Sequence, residues 1–497
     1  MATRVIVDTN IVISLEEHAV VDETAARLLA LLQTNDVHVL IHPASVEDIL
    51  NDKDEERKAI KLSKLKKYTE LNSPPKLDTA LFAAKDVHIG GNNDVIDCTI
   101  LSALLKDAVH FLITEDRRLH RKARKLGLGE RTLTVEQGLS YFGAAFANQP
   151  IRLPNLDSVE LHQIRDELPE KFFDSLRNDY PEFDEWFVRC CKEGRSAWVA
   201  HDDGGNLGAI GIYKEESNPQ VTPTHKLSGR VLKLCTLKVE GNVRGQKIGE
   251  LLLKAAFRHS TKNNFEKIYV TAKDKHHELI ELLREFGFES IGINDNQDQV
   301  LVKNQPLTPP SSPLSPVEYH IKFAPHFKAG PTIKKFLVPI QPEYHELLFP
   351  DASDRQLKFS FVGPLPGNAI KLAYLCRAKT KSIRPGDVLV FYRSHDLQQC
   401  TTLGIVESVG WLDDADIILE RVLKRTVYTR NEIEEICHKG CLVILFRLQS
   451  HFINPITLST LKTLDVIGPV QSIRKLTDEQ FRRMAKLGEF EGSILAD

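Results

Sequence analysis

Along the first 145 residues, short apolar runs alternate with stretches whose apolar positions recur every three or four residues. Val5–Val7, Val37–Ile41 and Phe111–Ile113 are rich in Val, Ile and Leu, which predicts strands buried on both faces. Segments 22–33, 44–69, 95–106 and 117–126 carry the helical period. Strands alternating with helices predict a parallel sheet covered on both sides. Ligands of such sheets sit beyond the carboxyl ends of the strands. Asp8 and Asp116 follow two of the predicted strands at that edge.

From 151 to 303 the pattern changes. A polar helical region leads to a strand at Ser196–Ala200, a hairpin turn at Asp202–Asn206 and a returning strand at Gly208–Tyr213. Val231–Val239 is a long strand, followed by a glycine-containing loop and an apolar helix over 249–259. Lys267–Ala272 predicts another strand and 276–286 another helix. Residues 304–318 hold five prolines among serines, which predicts an extended linker. Beyond it, 319–497 contains short strands at Val388–Tyr392, Thr402–Val406 and Leu442–Phe446, and a turn at Pro385-Gly386-Asp387. This last block predicts a small β-barrel with helices. The class is multidomain, α/β followed by α+β.

Composition narrows the reading. At 497 residues the chain exceeds one ordinary domain. A net charge of −3 supplies no global basic field, so any nucleic-acid site must be a local patch. No run approaches a membrane span. The eight cysteines form no disulfide framework, which fits a reducing cytoplasm. Cys437-His438 with Cys441 is a weak metal signal.

Four acids carry the first candidate chemistry: Asp8, Asp48, Asp97 and Asp116. Converging carboxylates can hold Mg²⁺ or Mn²⁺, and mutually repelling acids are tolerable with a cation among them. Each also has a structural reading. Asp8 and Asp97 suit helix N-caps, Asp48 a solvated helix face and Asp116 a turn. Arg117 to Lys125 adds six Lys or Arg in nine positions, including Arg117 and Arg121, either as a solvated face or as phosphate contacts. In order and spacing, the acids resemble the PIN-domain nucleases. The resemblance implies a ring of three or four metal-binding catalytic acids cutting RNA. It leaves Glu47 beside Asp48, and Asp94 beside Asp97, as alternative ligands. Thr9, Asn10 and Thr114 resemble the polar residues supporting the acids.

The second candidate is Val243-Arg244-Gly245-Gln246-Lys247-Ile248-Gly249, between a strand and a helix. Free backbone N–H groups at a helix N-terminus suit a phosphate. The loop resembles that of the GNAT acetyltransferases, which cradles the pyrophosphate of acetyl-CoA, although Lys247 stands where the family usually has glycine. The resemblance assigns cofactor contacts to Arg244, Gly245, Gln246, Lys247, Ile248 and Gly249, and to Leu237 and Val239 on the strand before them. Leu283 takes the place of the family's thiolate-protonating tyrosine; Cys235 or a water could replace it.

In the third block, Gly367–Lys371, Ala373–Cys376, Ile383–Ser394 and Gly404–Glu407 resemble the ASCH/PUA-like barrels. The resemblance implies RNA binding, with Lys371, Lys381 and Arg393 among the cations tracking phosphates and tyrosines stacking on bases. The expected function is a metal-dependent endoribonuclease fused to an acetyl-CoA-binding N-acetyltransferase and an RNA-binding barrel. The alternative is an acetyltransferase, or a sensor of acetyl-CoA and RNA, with the PIN-like part inactive.

Overall fold

The structure, a computed structural model, describes residues 3–15, 23–35, 37–50, 55–65, 68–147, 155–201, 205–240, 248–354, 365–366, 370–422, 425–466 and 470–497. The chain folds into two compact units. Unit 1 takes residues 1–151, 412–424 and 428–440; unit 2 takes 152–411, 425–427 and 441–497.

Unit 1 is built on five parallel strands in the order β3-β2-β1-β4-β5. They are β1 (Arg4–Val7), β2 (His38–Ile41), β3 (Thr69–Glu70), β4 (Phe111–Ile113) and β5 (Thr132–Leu133). Period-two alternation splits each central strand between two cores. Val5, Val7, Phe111 and Ile113 face one, Ile6 and Leu112 the other. This is the physical basis of the uninterrupted apolar runs. The single helix expected over 44–69 is instead two helices, Pro43–Leu50 and Glu55–Leu65. The helices Ala415–Val422 and Arg430–Cys437, from the third sequence block, pack within unit 1.

Unit 2 carries two main sheets. The first has eight strands in the order β11-β12-β10-β9-β8-β7-β6-β15. These are β6 (Asn155–Glu160), β7 (Ser196–His201), β8 (Leu207–Ser217), β9 (Arg230–Val239), β10 (Lys267–Ala272), β11 (Glu289–Ile293), β12 (Gln299–Asn304) and β15 (Leu365–Pro366). Only β9 and β10 run parallel; their crossover is the helix Ile248–Lys262. The second sheet has six strands in the order β16-β19-β18-β17-β14-β20. They are β14 (Lys335–Ile340), β16 (Lys371–Cys376), β17 (Val388–Arg393), β18 (Gln399–Leu412), β19 (Cys441–Thr457) and β20 (Arg474–Leu476). A two-stranded sheet joins β13 (Phe327–Lys328) to β21 (Leu495–Ala496). Among the described residues β16 and β20 end the six-stranded sheet without pairing to each other, so the expected barrel does not close.

The proline-rich segment is not a free spacer. Tyr319 donates its hydroxyl to Pro310 O at 2.8 Å, and Lys328 donates to Ser312 O and Leu314 O at 2.9 and 2.8 Å. Ser315 and Glu318 then form a capping box opening the helix Pro316–Phe323. Prolines exclude regular structure here, but side chains from the following elements hold the segment against the fold. Four polar links, two of them buried, tie helices packed on the first sheet of unit 2 to the second sheet. Glu250 accepts the amides of Ile370 and Lys371 at 3.1 and 3.2 Å, Lys371 pairs with Glu285, and Arg447 donates to Glu285 O at 3.3 Å.

Candidate functional site

The acids of unit 1 gather at the carboxyl edge of its sheet. Thr114, at the end of β4, donates to Asp8 Oδ2 at 2.6 Å and accepts the Asp116 amide at 3.0 Å. It therefore ties the ends of β1 and β4 together. Asp116 also caps the helix Arg117–Lys125, accepting the amides of Arg118 and Leu119. Asp94 and Asp97 lie on the helix Asn92–Leu105, and both accept from Lys122, at 2.6 and 2.7 Å. Lys122 holds the Asp94 carboxyl down at about 2, with help from the Gly90 amide. Burial pushes the Asp97 carboxyl up; Lys122 opposes this, and the charges of Asp116 and Asp94 add to it.

This arrangement does not fit the expected cation. Among the described residues no three His, Cys, Asp or Glu side chains are grouped to hold a metal. The positive charge between Asp94 and Asp97 is the chain's own Lys122, which the sequence places among candidate phosphate contacts. Asp48 lies on the helix Pro43–Leu50, and its side chain is outside the described residues. Arg117 and Arg121 are exposed. Cys437, His438 and Cys441, all among the described residues, likewise form no such group.

Unit 2 holds the second site. β9 pairs with β8 along its whole length, with a bulge opposite Ile212 and Tyr213 that leaves Cys235 as the extra residue. The bulge shifts the alternation by one, so Leu232, Leu234, Leu237 and Val239 all pack toward the helix Ile248–Lys262. On its other edge β9 pairs with β10 only from Val231 to Leu234, opposite Lys267 to Val270. After that point β10 continues with β12 through Ala272, while among the described residues no pairing of residues 235–238 with β10 follows Leu234. The two strands thus part into a cleft whose wall carries Leu237 and Val239.

The helix facing that cleft starts at Ile248, which is buried. Arg244, Gly245, Gln246 and Lys247 lie outside the described residues. A Cβ on Gly249 would lie 3.0 Å from Leu282 Cδ2, so glycine permits close packing here. Leu283 is fully buried in the core. A group with no local sequence signal lies just beyond the carboxyl end of β10. Asp179, buried, accepts from His276 Nε2 at 2.6 Å and pairs with Lys275. Lys273 Nζ sits 4.5 Å from the ring centroid of Tyr180, whose hydroxyl is pushed up to about 12, chiefly by burial. These partners are over 90 residues apart in the chain, so spacing could not reveal them.

Residues 160–288 match the acetyltransferase (GNAT) family, about a quarter of the chain. This segment is a GNAT acetyltransferase domain. No curated protein matches the chain. Among solved structures, an N-acetyltransferase from Thermoplasma acidophilum in complex with coenzyme A is 16% identical, with a TM-score of 0.23, covering 30% of this chain and 98% of its own. A GNAT acetyltransferase from Staphylococcus aureus Mu50 is 17% identical, with a TM-score of 0.24, covering 30% and 98%. An ASCH protein mutant from Zymomonas mobilis is 14% identical, with a TM-score of 0.26, covering 32% and 100%. At these scores the likenesses carry no functional information. The cleft between β9 and β10 belongs to the GNAT domain.

Three candidate nucleic-acid contacts fall in unit 2, and two are corrected. Lys371 is buried and bonded to Glu285. Arg393 is buried, with Asp396 accepting from its Nε at 2.9 Å and Glu346 from its Nη2 at 2.8 Å. Both are structural ion pairs, because a buried cation must be matched inside the protein. Lys381 is exposed. No helix among the described residues is long and apolar enough to cross a membrane.

Proposed function

We propose that unit 2 binds acetyl-CoA and transfers its acetyl group to an amine. The observation that carries this reading is the parting of β9 from β10 after Leu234 and Val270. It leaves the strand edge at residues 235–238 for an extended, amide-bearing ligand to pair with. The helix that begins at Ile248 offers its N-terminus to the ligand's phosphates. In the transfer the amine nitrogen forms a bond to the acetyl carbon, the carbon–sulfur bond breaks to release the coenzyme's thiolate, and the amine proton passes to a base and from it, directly or through water, to that sulfur. We assign that base to His276, oriented by Asp179. The test is the thermal stability of the full chain with acetyl-CoA, beside thiol release with an amine acceptor. Acetyl-CoA should raise Tm by mass action on the folded state. Gly249→Trp should remove the shift, and His276→Ala should keep it while slowing thiol release. A parent protein whose Tm ignores millimolar acetyl-CoA would end this reading.

A second reading keeps unit 1 as a ribonuclease of the PIN type. It is favoured by Asp8 and Asp116 sharing Thr114 and by the charge of Asp116 reaching Asp97. The exposed Arg117 and Arg121 of unit 1 would then contact RNA phosphates, and the exposed Lys381 would do so separately on unit 2. Asp8→Asn should abolish RNA cleavage by the full chain; a variant that cuts like the parent would refute it.

A further inference from the structure

Unit 2 contains a recess of about 110 Å³ that is partly open to solvent. One wall is a stripe of the helix Ile248–Lys262 carrying Lys254, Phe257, Arg258 and Thr261. Thr261 is roughly 20 Å along that helix from Ile248, at about 1.5 Å per residue. Phe286, Ile321, Pro325, Leu448 and Ile494 make the other walls largely apolar. An enclosed cavity of about 150 Å³ takes a benzene ring. The recess therefore suits an apolar body of that size or slightly smaller.

The charges around it do not balance. Lys254, Arg258 and Arg447 line it as cations; the acids are Asp351, which is buried, and Glu491, which is exposed. Lys254 and Arg258 share one oxygen, Asp351 Oδ2, at 2.9 and 3.0 Å. Arg447 lies 3.6 Å from Glu407, which is also bonded to Arg425. Each of these two acids thus serves two cations. The next acids outward are engaged elsewhere: Glu285 pairs with Lys371, and Glu250 accepts the amides of Ile370 and Lys371. Even with both of them counted, five cations meet four acids. Lys303, whose amine burial brings down to about 7, does nothing to remove the excess. Burial pushes both Lys254 and Arg447 below their ordinary values, and the surrounding acids do not offset it. A buried cation without full compensation is costly, so an anion entering the recess brings the charge that is missing.

Arg258 shows which anion. Its side chain is 37% exposed, against 9% for Lys254 and 3% for Arg447. Asp351 takes its Nη1, and among the described residues its Nε and Nη2 bond no protein group. Those two nitrogens form one edge of a planar guanidinium, spaced to receive both oxygens of a carboxylate. An excess of one positive charge matches a single carboxylate, and the apolar walls match a ring or a branched hydrocarbon behind it.

We propose that this recess binds a small monocarboxylate, with its carboxylate on the open edge of Arg258 and its apolar body against Phe257, Phe286 and Leu448. The site stands whether or not the GNAT domain transfers acetyl groups, and the two are tested apart because acetyl-CoA is omitted.

The experiment is a ligand-detected NMR titration of the full chain, at fixed ionic strength, with benzoate, 3-methylbutanoate, benzamide and acetate. Ligands of this size bind with a Kd of about 1 mM. Binding of either benzoate or 3-methylbutanoate supports the proposal, and the tighter of the two identifies the body as aromatic or branched. Benzamide has the ring without the charge, and acetate the charge without the body. Each should bind at least about tenfold more weakly. Arg258→Met should weaken carboxylate binding by about tenfold and erase the preference over benzamide. Arg258→Lys keeps the charge beside Asp351 but gives up the two-nitrogen edge, and should lose less. Thr261→Trp should abolish binding by filling the recess. All three variants are checked for native circular dichroism, and the preference of the parent for benzoate over benzamide needs no variant. Benzamide or acetate binding as tightly as the larger carboxylates, a preference that survives Arg258→Met, undiminished binding by Thr261→Trp, or no saturable binding of either larger carboxylate at about 10 mM would overturn the proposal.

Discussion

Units 1 and 2 contain mirror-image ion clusters. In unit 1 one cation, Lys122, lies between two acids, Asp94 and Asp97. In unit 2 one acid, Asp351, lies between two cations, Lys254 and Arg258. The bond lengths are nearly the same, but the surroundings differ. The side chains of Asp94 and Asp97 are 32% and 17% exposed, whereas that of Asp351 is 3% exposed. Water screens the first cluster and is excluded from the second, so identical geometry has different energetic weight. The first marks a sheet edge open to solvent. The second joins the helix Ile248–Lys262 to the helix Pro350–Asp354 inside unit 2.

The largest expected effect tests that contrast. Asp351→Ala leaves a buried Lys254 and its neighbour Arg258 without their anion, which costs about 3–5 kcal/mol. The unfolding transition of unit 2 should drop by roughly 10 °C. A drop no larger than that of a surface substitution would mean the interior is wetter than the burial of Asp351 implies.

Acid pH should weaken both units through buried neutral histidines. Burial holds His42 in unit 1 and His345 in unit 2 down to about 4, from 6.5. Between those values the unfolded chain binds a proton that the folded chain refuses. The stabilisation is therefore complete above pH 6.5 and is lost as pH falls toward 4. At pH 5 each histidine contributes a loss of at most about 2 kcal/mol. His345 Nε2 and Thr401 Oγ1 are 2.6 Å apart, and His345→Gln can keep that hydrogen bond without titrating. The variant should lose less stability than the parent between pH 7 and pH 5, measured by denaturant unfolding. An unchanged loss would place the acid sensitivity elsewhere.

The sequence disclosed elements whose signal is local. β4 and β10 have the bounds their apolar runs predict, and Val5–Val7, Val37–Ile41 and Val231–Val239 differ from β1, β2 and β9 by one residue at one end. It disclosed less where the signal is long-range. β6 lies in a region that reads as polar and helical, because Asn155–Glu160 alternates weakly and gains its strand from β7. β18 and β19 extend well beyond the expected Thr402–Val406 and Leu442–Phe446, since pairing carries a strand through residues of low propensity. The site followed the same rule. The acids of unit 1 could be listed from the chain, but Lys122 as their partner is set by a fold that joins residues 25 and 28 positions apart. The bulge at Cys235 has no sequence counterpart at all, and the parting of β9 from β10 is expected only through the GNAT resemblance, which implies a splayed strand over Leu234–Val239.

The smallest effect concerns the exposed cluster and sharpens the comparison most directly. Lys122→Met leaves Asp94 and Asp97 facing each other and Asp116 without their cation. Partial exposure lets water take over, so unit 1 should lose only about 1 kcal/mol at pH 7. The pH dependence identifies the cause. Burial and neighbouring acids already raise the Asp97 carboxyl, with Lys122 opposing them, so the variant should raise it further. A carboxyl with a raised folded pKa binds its proton more tightly in the folded state. Stability then rises as pH falls toward that pKa, and the variant should recover toward the parent under mild acid. Added NaCl should also restore part of the loss by screening the acids. Mn²⁺ gives the decisive arm. If the lysine merely completes a structural cluster, Mn²⁺ and NaCl of equal ionic strength should restore Tm alike. If Mn²⁺ restores it at far lower ionic strength, the acids can hold a cation once Lys122 is gone, and the ribonuclease reading of unit 1 gains the site that the parent arrangement lacks.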